Sequence, residues 1–174
     1  MNHANPWVRC AVSVLILAAC ASAPVWADTP PVPAGSVAIG GEIATPRRLD
    51  DIALRKLPRR AFDATEHGTT AHWEGVALSD LLSDAGVPLG DALRGKNLAL
   101  YVVVSAADGY RVVYSLAELD PAMRGGDVIL ADRRNGQPLD ANEGPFRIVA
   151  KDDKRPARWV RQVVAIDVLR ASLR

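Results

Sequence analysis

Between Lys151 and Arg161 the chain places five cations, Lys151, Lys154, Arg155, Arg158 and Arg161, broken by Asp152 and Asp153. Such a run can grip an anionic ligand tail, face a partner protein, or keep a strand edge solvated. Just upstream, Arg147 interrupts the apolar segment Phe146–Ala150. Strand alternation puts Arg147 and Phe146 on opposite faces, so one of the two should be buried. A buried arginine must be paired or liganded, which points equally to a binding site and to an internal ion pair. Asp108 precedes Gly109, where it either forms a turn or offers a carboxylate acceptor. His67 and His72 read as a loop residue and a partner for a nearby carboxylate, not as metal ligands.

The types that are missing matter as much. Both cysteines, Cys10 and Cys20, fall in the first 27 residues. That segment has a polar start with Arg9, an apolar run over Cys10–Ala23 and small residues before Asp28, the pattern of a secretory signal. Val25-Trp26-Ala27 resembles a signal-peptidase site and would release a soluble periplasmic protein. Leu17-Ala18-Ala19-Cys20 resembles a lipobox, which would tether the protein through Cys20. Loss of the leader leaves equal numbers of acidic and basic residues, so no global field favours nucleic acid. A cysteine-free exported domain has no disulfides, and a structural zinc site is not expected. No Gly-x-Ser-x-Gly elbow, phosphate-binding Gly-rich loop or defined glycosidase carboxylate pair is present.

The elements that must position these residues follow from periodicity. Residues 28–36, with Pro30, Pro31 and Pro33, form a stiff linker, and the domain is expected over 37–172. Val37–Ile39 is expected as a strand ending at Gly40-Gly41, and Leu49–Leu57 as a helix stopped by Pro58. Arg59–Thr65 reads as a strand. Ser79 should cap a helix that runs to Ala85 and is closed by Gly86. The apolar run Leu98–Val104 is expected to be a strand buried on both faces, and Asp108-Gly109 turns it into Tyr110–Tyr114. Ser115 and Glu118 have capping-box spacing for a short helix to Leu119. Asp127–Ala131, Phe146–Ala150 and Trp159–Leu169 are expected to complete a mixed β-sheet with short helices, an α+β fold.

Several blocks in one order carry a family resemblance. They are Trp73-x-Gly75-Val76-x-Leu78-x-x-Leu81-Leu82, Ser105-x-x-Asp108-Gly109-Tyr110, Asn135-Gly136-x-Pro138-Leu139, Gly144-Pro145-x-Arg147-Ile148-Val149 and Arg158-Trp159-Val160. Together they resemble the molybdopterin-binding domain of the sulfite oxidase family. In that family a cysteine thiolate binds molybdenum, at a place that here falls in Thr65–Thr70, where no cysteine stands. The resemblance therefore implies a cysteine-less periplasmic branch that binds a pterin, with no covalent cofactor and molybdenum not expected. Its partner would be the periplasmic domain of a membrane diguanylate cyclase or phosphodiesterase of cyclic-di-GMP signalling. The alternative is a molybdopterin-dependent oxidoreductase or its accessory subunit; a cofactor carrier or structural relic is a third reading. By the same resemblance Ser105, Asn142 and Arg147 contact the ligand, and Arg155 and Arg158 belong to the loop that holds a phosphate. Asp108 would accept from an amino-pyrimidinone edge, with Tyr110 or Phe146 stacking on the ring.

Overall fold

The computed structural model describes residues 35–125 and 127–172. The expected leader over 1–27, its lipobox at 17–20 and residues 28–34 of the linker lie outside the described residues. In chain order the first strands are β1 (Ser36–Gly41), β2 (Arg47–Asp50), β3 (Arg59–Glu66), β4 (Thr69–Ala77) and β5 (Leu100–Ala106). They are followed by β6 (Arg111–Ser115), β7 (Val128–Arg134), β8 (Gln137–Pro138), β9 (Arg147–Ala150) and β10 (Val163–Arg170). Three short helices intervene, α1 (Asp51–Leu54), α2 (Leu78–Asp84) and α3 (Leu116–Leu119).

The strands divide between two five-stranded sheets. The first runs β2-β1-β10-β5-β6, with β1 and β10 parallel and the other neighbours antiparallel. The second is antiparallel, β3-β4-β7, with β7 pairing β9 along its first half and β8 along its second. The α+β class therefore holds, with mixed pairing confined to one of two sheets. Their core includes Val37, Ile39, Val102, Val104, Ile166 and Val168 from the first and Trp73, Val76, Ile129 and Ile148 from the second.

Several local expectations change. The helix expected over Leu49–Leu57 is a single turn, because Leu49 pairs with Val37 in the β1–β2 ladder and fills the core. Asp50 then caps α1, its Oδ1 accepting from the Ala53 amide at 2.7 Å. The residue before α2 is Ala77, which has no side-chain cap, so Ser79 lies inside the helix; Gly86 closes it at φ +81°. Burial alternates along β5, with Tyr101, Val103 and Ser105 half-buried, while Leu98 belongs to a preceding 3-10 turn. An unbroken apolar run does not distinguish a two-sided strand from β-branched residues on a half-exposed face. The last strand starts at Val163, after a 3-10 turn at Pro156–Arg158 and Gln162 at φ +47°.

Two features shape the site. The segment Thr65–Thr70 is a tight hairpin tip in which His67 and Gly68 take φ 48° and 82°, the paired left-handed conformation of a two-residue turn. Thr65 and Thr70 close it, their hydroxyl oxygens 2.8 Å apart. At the other end of β4 the register with β7 shifts between Glu74 and Gly75. A Cβ on Gly75 would stand 2.2 Å from the Leu130 carbonyl oxygen. Gly75→Ala must push two paired backbones apart, and should cost about 3 kcal/mol of stability, read as a lower urea midpoint at unchanged slope.

Candidate functional site

A large hollow of about 930 Å³ lies between the β3–β4 hairpin tip and the loop from Lys151 to Arg161. Glu66, His67 and Gly68 form one wall, Lys151, Lys154 and Arg155 the other, and Arg147 and Trp159 reach it from the core. The volume falls in the range of small-molecule and cofactor sites.

Arg147 anchors this region. It is 1% exposed, and Phe146 beside it is equally buried, so the expectation that only one would be buried does not hold. β9 is covered on both faces, Arg147 on one and Phe146 on the other. The guanidinium carbon lies 5.1 Å from the ring centroid of Trp73 and 5.8 Å from that of Trp159, and the two indoles meet edge to face at 6.0 Å. Its Nη2 donates to Glu66 Oε1 at 2.5 Å and its Nη1 to Glu143 Oε1 at 2.6 Å. Arg134 donates to the same Glu143 oxygen at 3.2 Å, and Arg161 to the same Glu66 oxygen at 3.3 Å. The result is an alternating chain, Arg134–Glu143–Arg147–Glu66–Arg161. Burial pushes the Glu66 carboxyl up, but hydrogen bonds and charge from Arg147 and Arg161 outweigh it and hold it below its ordinary value of 4.5.

The basic loop is held from behind. Arg158 donates to both carboxylate oxygens of Asp153, at 3.0 and 2.6 Å, and to Glu118, and sits 4.4 Å over the Tyr114 ring. The Tyr114 hydroxyl donates to the Arg158 carbonyl at 2.7 Å, and the Tyr110 hydroxyl to that of Ala157 at 2.7 Å. Burial pushes the Tyr114 phenol well up, so it stays a neutral donor, and the Asp153 carboxylate raises Arg158 further above its usual range. Lys154 and Arg155 have no ion pair among the described residues, and Lys151 has only the Phe62 ring at 5.6 Å. Lys151, Lys154 and Arg155 thus have no ion pair among the described residues while the loop backbone is fixed.

The residues singled out by sequence are split. Arg147 and Arg155 line the large hollow. Asp108, Tyr110 and Asn142 line a second one of about 370 Å³, which shares Pro156, Ala157, Trp159 and Arg161 with the first. Asp108 forms its turn, Oδ1 accepting from the Tyr110 amide at 2.9 Å. Ser105 is half-buried in β5 opposite Arg111 and lines neither hollow, and Arg158 is engaged behind the loop. His72 pairs with Asp63, Nδ1 to Oδ1 2.7 Å, as expected for a histidine beside a carboxylate. Sequence reasoning missed Glu66, Glu143 and the two tryptophans around Arg147. A signal for Glu66 existed, because it follows Phe62 and Ala64 on the buried parity of β3. An acid at a position that alternation buries needs a cation.

Among the described residues no cysteine lines the large hollow, and no group of three or more His, Cys, Asp or Glu could hold a metal. This donor set does not fit a thiolate-bound metal. Of the carboxylates that line it, Glu66, Asp63 and Asp153 are already held by arginines and by His72, and Asp152 is exposed.

Two sheets around a buried Trp–Arg–Trp stack, with a basic-lipped hollow beside it, define an α+β small-molecule-binding domain. The chain belongs to the oxidoreductase molybdopterin binding domain family, whose model matches residues 36–173. Among solved structures it is similar to the sulfane dehydrogenase SoxCD from Paracoccus pantotrophus, at 21% identity and a TM-score of 0.62. That match covers 77% of this chain and 38% of the other, so this chain spans under two fifths of that one's length and the likeness is one of fold. No curated protein matches.

Arg147→Met should cost about 3–5 kcal/mol, because it leaves the buried Glu66 and the half-buried Glu143 underpaired; chemical denaturation reads the loss. The pH dependence has a fixed sign. Glu66 is more acidic folded than unfolded, so its pairing stabilises fully above about pH 4.5 and is lost as pH falls through the depressed folded value. Thermal melts from pH 7 to 3 should show a shallower acid decline in Glu66→Gln than in the wild type.

Proposed function

We propose that this chain is an exported, periplasmic pterin-binding protein, without redox chemistry of its own, that regulates a membrane-bound cyclic-di-GMP enzyme. The observation that supports this best is the lining of the large hollow. Among the described residues it combines uncommitted cations and a buried carboxylate with no thiol. The molybdopterin-binding family supplies the ligand class, and these residues fit the organic, anionic part of such a cofactor better than its metal.

Binding is the step these residues can perform. Lys154 and Arg155, with Lys151 beside them, would hold an anionic tail by charge-assisted hydrogen bonds. The aromatic and guanidinium surface of Trp159 and Arg161 would meet the flat ring. Because Arg158, Tyr110 and Tyr114 fix the loop backbone, the site needs little reorganisation on binding, which lowers the entropic cost. The regulated partner would be the periplasmic domain of a diguanylate cyclase or phosphodiesterase. Ligand and partner would then be linked by a coupling free energy of about 1–3 kcal/mol. Fold likeness to a dehydrogenase supports the second reading, a molybdopterin-dependent oxidoreductase or its accessory subunit.

Fluorescence titration of the purified protein with a reduced pterin phosphate tests the proposal. The wild type should bind saturably. Replacing Lys154 and Arg155 together by Ala should weaken binding by about 10–100-fold with the unfolding midpoint unchanged, since neither side chain has an ion pair among the described residues. Absence of binding to oxidised and reduced pterins alike would sink the reading.

A further inference from the structure

The carboxylate of Glu66 uses its two oxygens unequally. Arg147 and Arg161 both donate to Oε1, at 2.5 and 3.3 Å. Oε2 takes no hydrogen bond among the described residues, yet it is not one of the sealed, unsatisfied polar atoms of the fold. Glu66 is 9% exposed and lines the large hollow. A half-engaged acceptor on a desolvated, immobilised carboxylate is therefore available to whatever enters. Glu143 shows the same one-sided pattern, with Arg134 and Arg147 both on Oε1, but it lies outside the lining of the hollow.

The other acids near the loop are less suited. Asp63 is paired with His72 and stands on the exposed parity of β3. Asp153 is occupied by Arg158 through both oxygens, and Asp152 is exposed. Asp108, the acceptor expected from the sequence, lies on an exposed turn, is half used by the Tyr110 amide, and faces the smaller hollow. Hydrogen bonds to charged groups discriminate most where water cannot replace them, which favours the buried carboxylate.

We infer that Glu66 sets the ligand specificity of this site, its Oε2 accepting an N–H of the exocyclic amino group of a cyclic guanidine-like head, such as the 2-amino-4-oxo edge of a pterin. This assignment rests on the pterin reading and adds to it. The head lies against the β3–β4 hairpin tip and the anionic tail against the basic loop. Arg147 and Arg161 keep the carboxylate ionised and aimed, so Glu66 is at once a structural partner and a recognition group.

The test compares two ligands that differ at one edge, a pterin and the corresponding lumazine, in which an oxo group replaces the 2-amino donor. The wild type should prefer the pterin by on the order of 10–100-fold, the range of a charged hydrogen bond. This ratio requires no variant and is insensitive to marginal stability. In Glu66→Gln it should collapse towards unity. Glu143→Gln, which also removes a partner of Arg147, should lower stability and leave the ratio unchanged. Equal affinity of the wild type for both ligands, or an equal collapse in Glu143→Gln, overturns the assignment of Glu66 alone. A wild type that binds neither overturns the pterin reading and this inference with it.

Discussion

A single guanidinium, that of Arg147, is the constraint on which the candidate site depends. A charge withdrawn from water is tolerated only with partners on every side, and the chain supplies them from widely separated places. Glu66 comes from the end of β3, Trp73 from β4, Glu143 from the turn before β9, and Trp159 from the basic loop. The charge therefore fixes relative positions that apolar packing alone would leave adaptable. The arrangement leaves one cost visible: Arg147 Nε and Trp73 Nε1 are buried with no acceptor among the described residues. The ion-pair reading of Arg147, open in the sequence, is thus realised, and the same pairing puts an oriented carboxylate at the wall of a hollow.

The second constraint acts on the loop. Its cations divide by function according to what lies behind them. Arg158 is consumed by Asp153, Glu118 and Tyr114, and with Tyr110 it fastens the backbone to β6 and α3. Lys154 and Arg155 project from that fastened frame with no ion pair among the described residues. A binding surface whose charges are free and whose backbone is fixed suits recognition better than catalysis, and this underlies the reading as a binding protein.

Much of the scaffold was legible because it rests on local rules. Asn135-Gly136 turns β7 back into β8 with Asn135 at φ +51°, and Ser115 accepts from the Glu118 amide at 3.2 Å as the capping-box spacing implies. What was not legible depends on long-range register. Leu49 has helical spacing relative to Ile52 and Leu57, yet pairing with Val37 takes it into a strand. The site shows the same division. Arg147 could be flagged from its apolar neighbours, but its partners lie 81 and 4 residues away, and nothing local selects Glu66 over other acids. Asp108, Tyr110 and Asn142 were grouped with Arg147 by motif order, whereas the fold puts them on a second hollow that shares Pro156, Ala157, Trp159 and Arg161 with the first.

In the proposed reading, the fold of a molybdopterin-binding domain serves an organic pterin alone. The most direct test is to purify the protein from its own cellular compartment, denature it, and analyse what is released by mass spectrometry and elemental analysis. The account predicts a pterin at near-stoichiometric amount with no matching molybdenum. Molybdopterin released together with an equivalent of molybdenum would contradict it and assign the chain to the oxidoreductases.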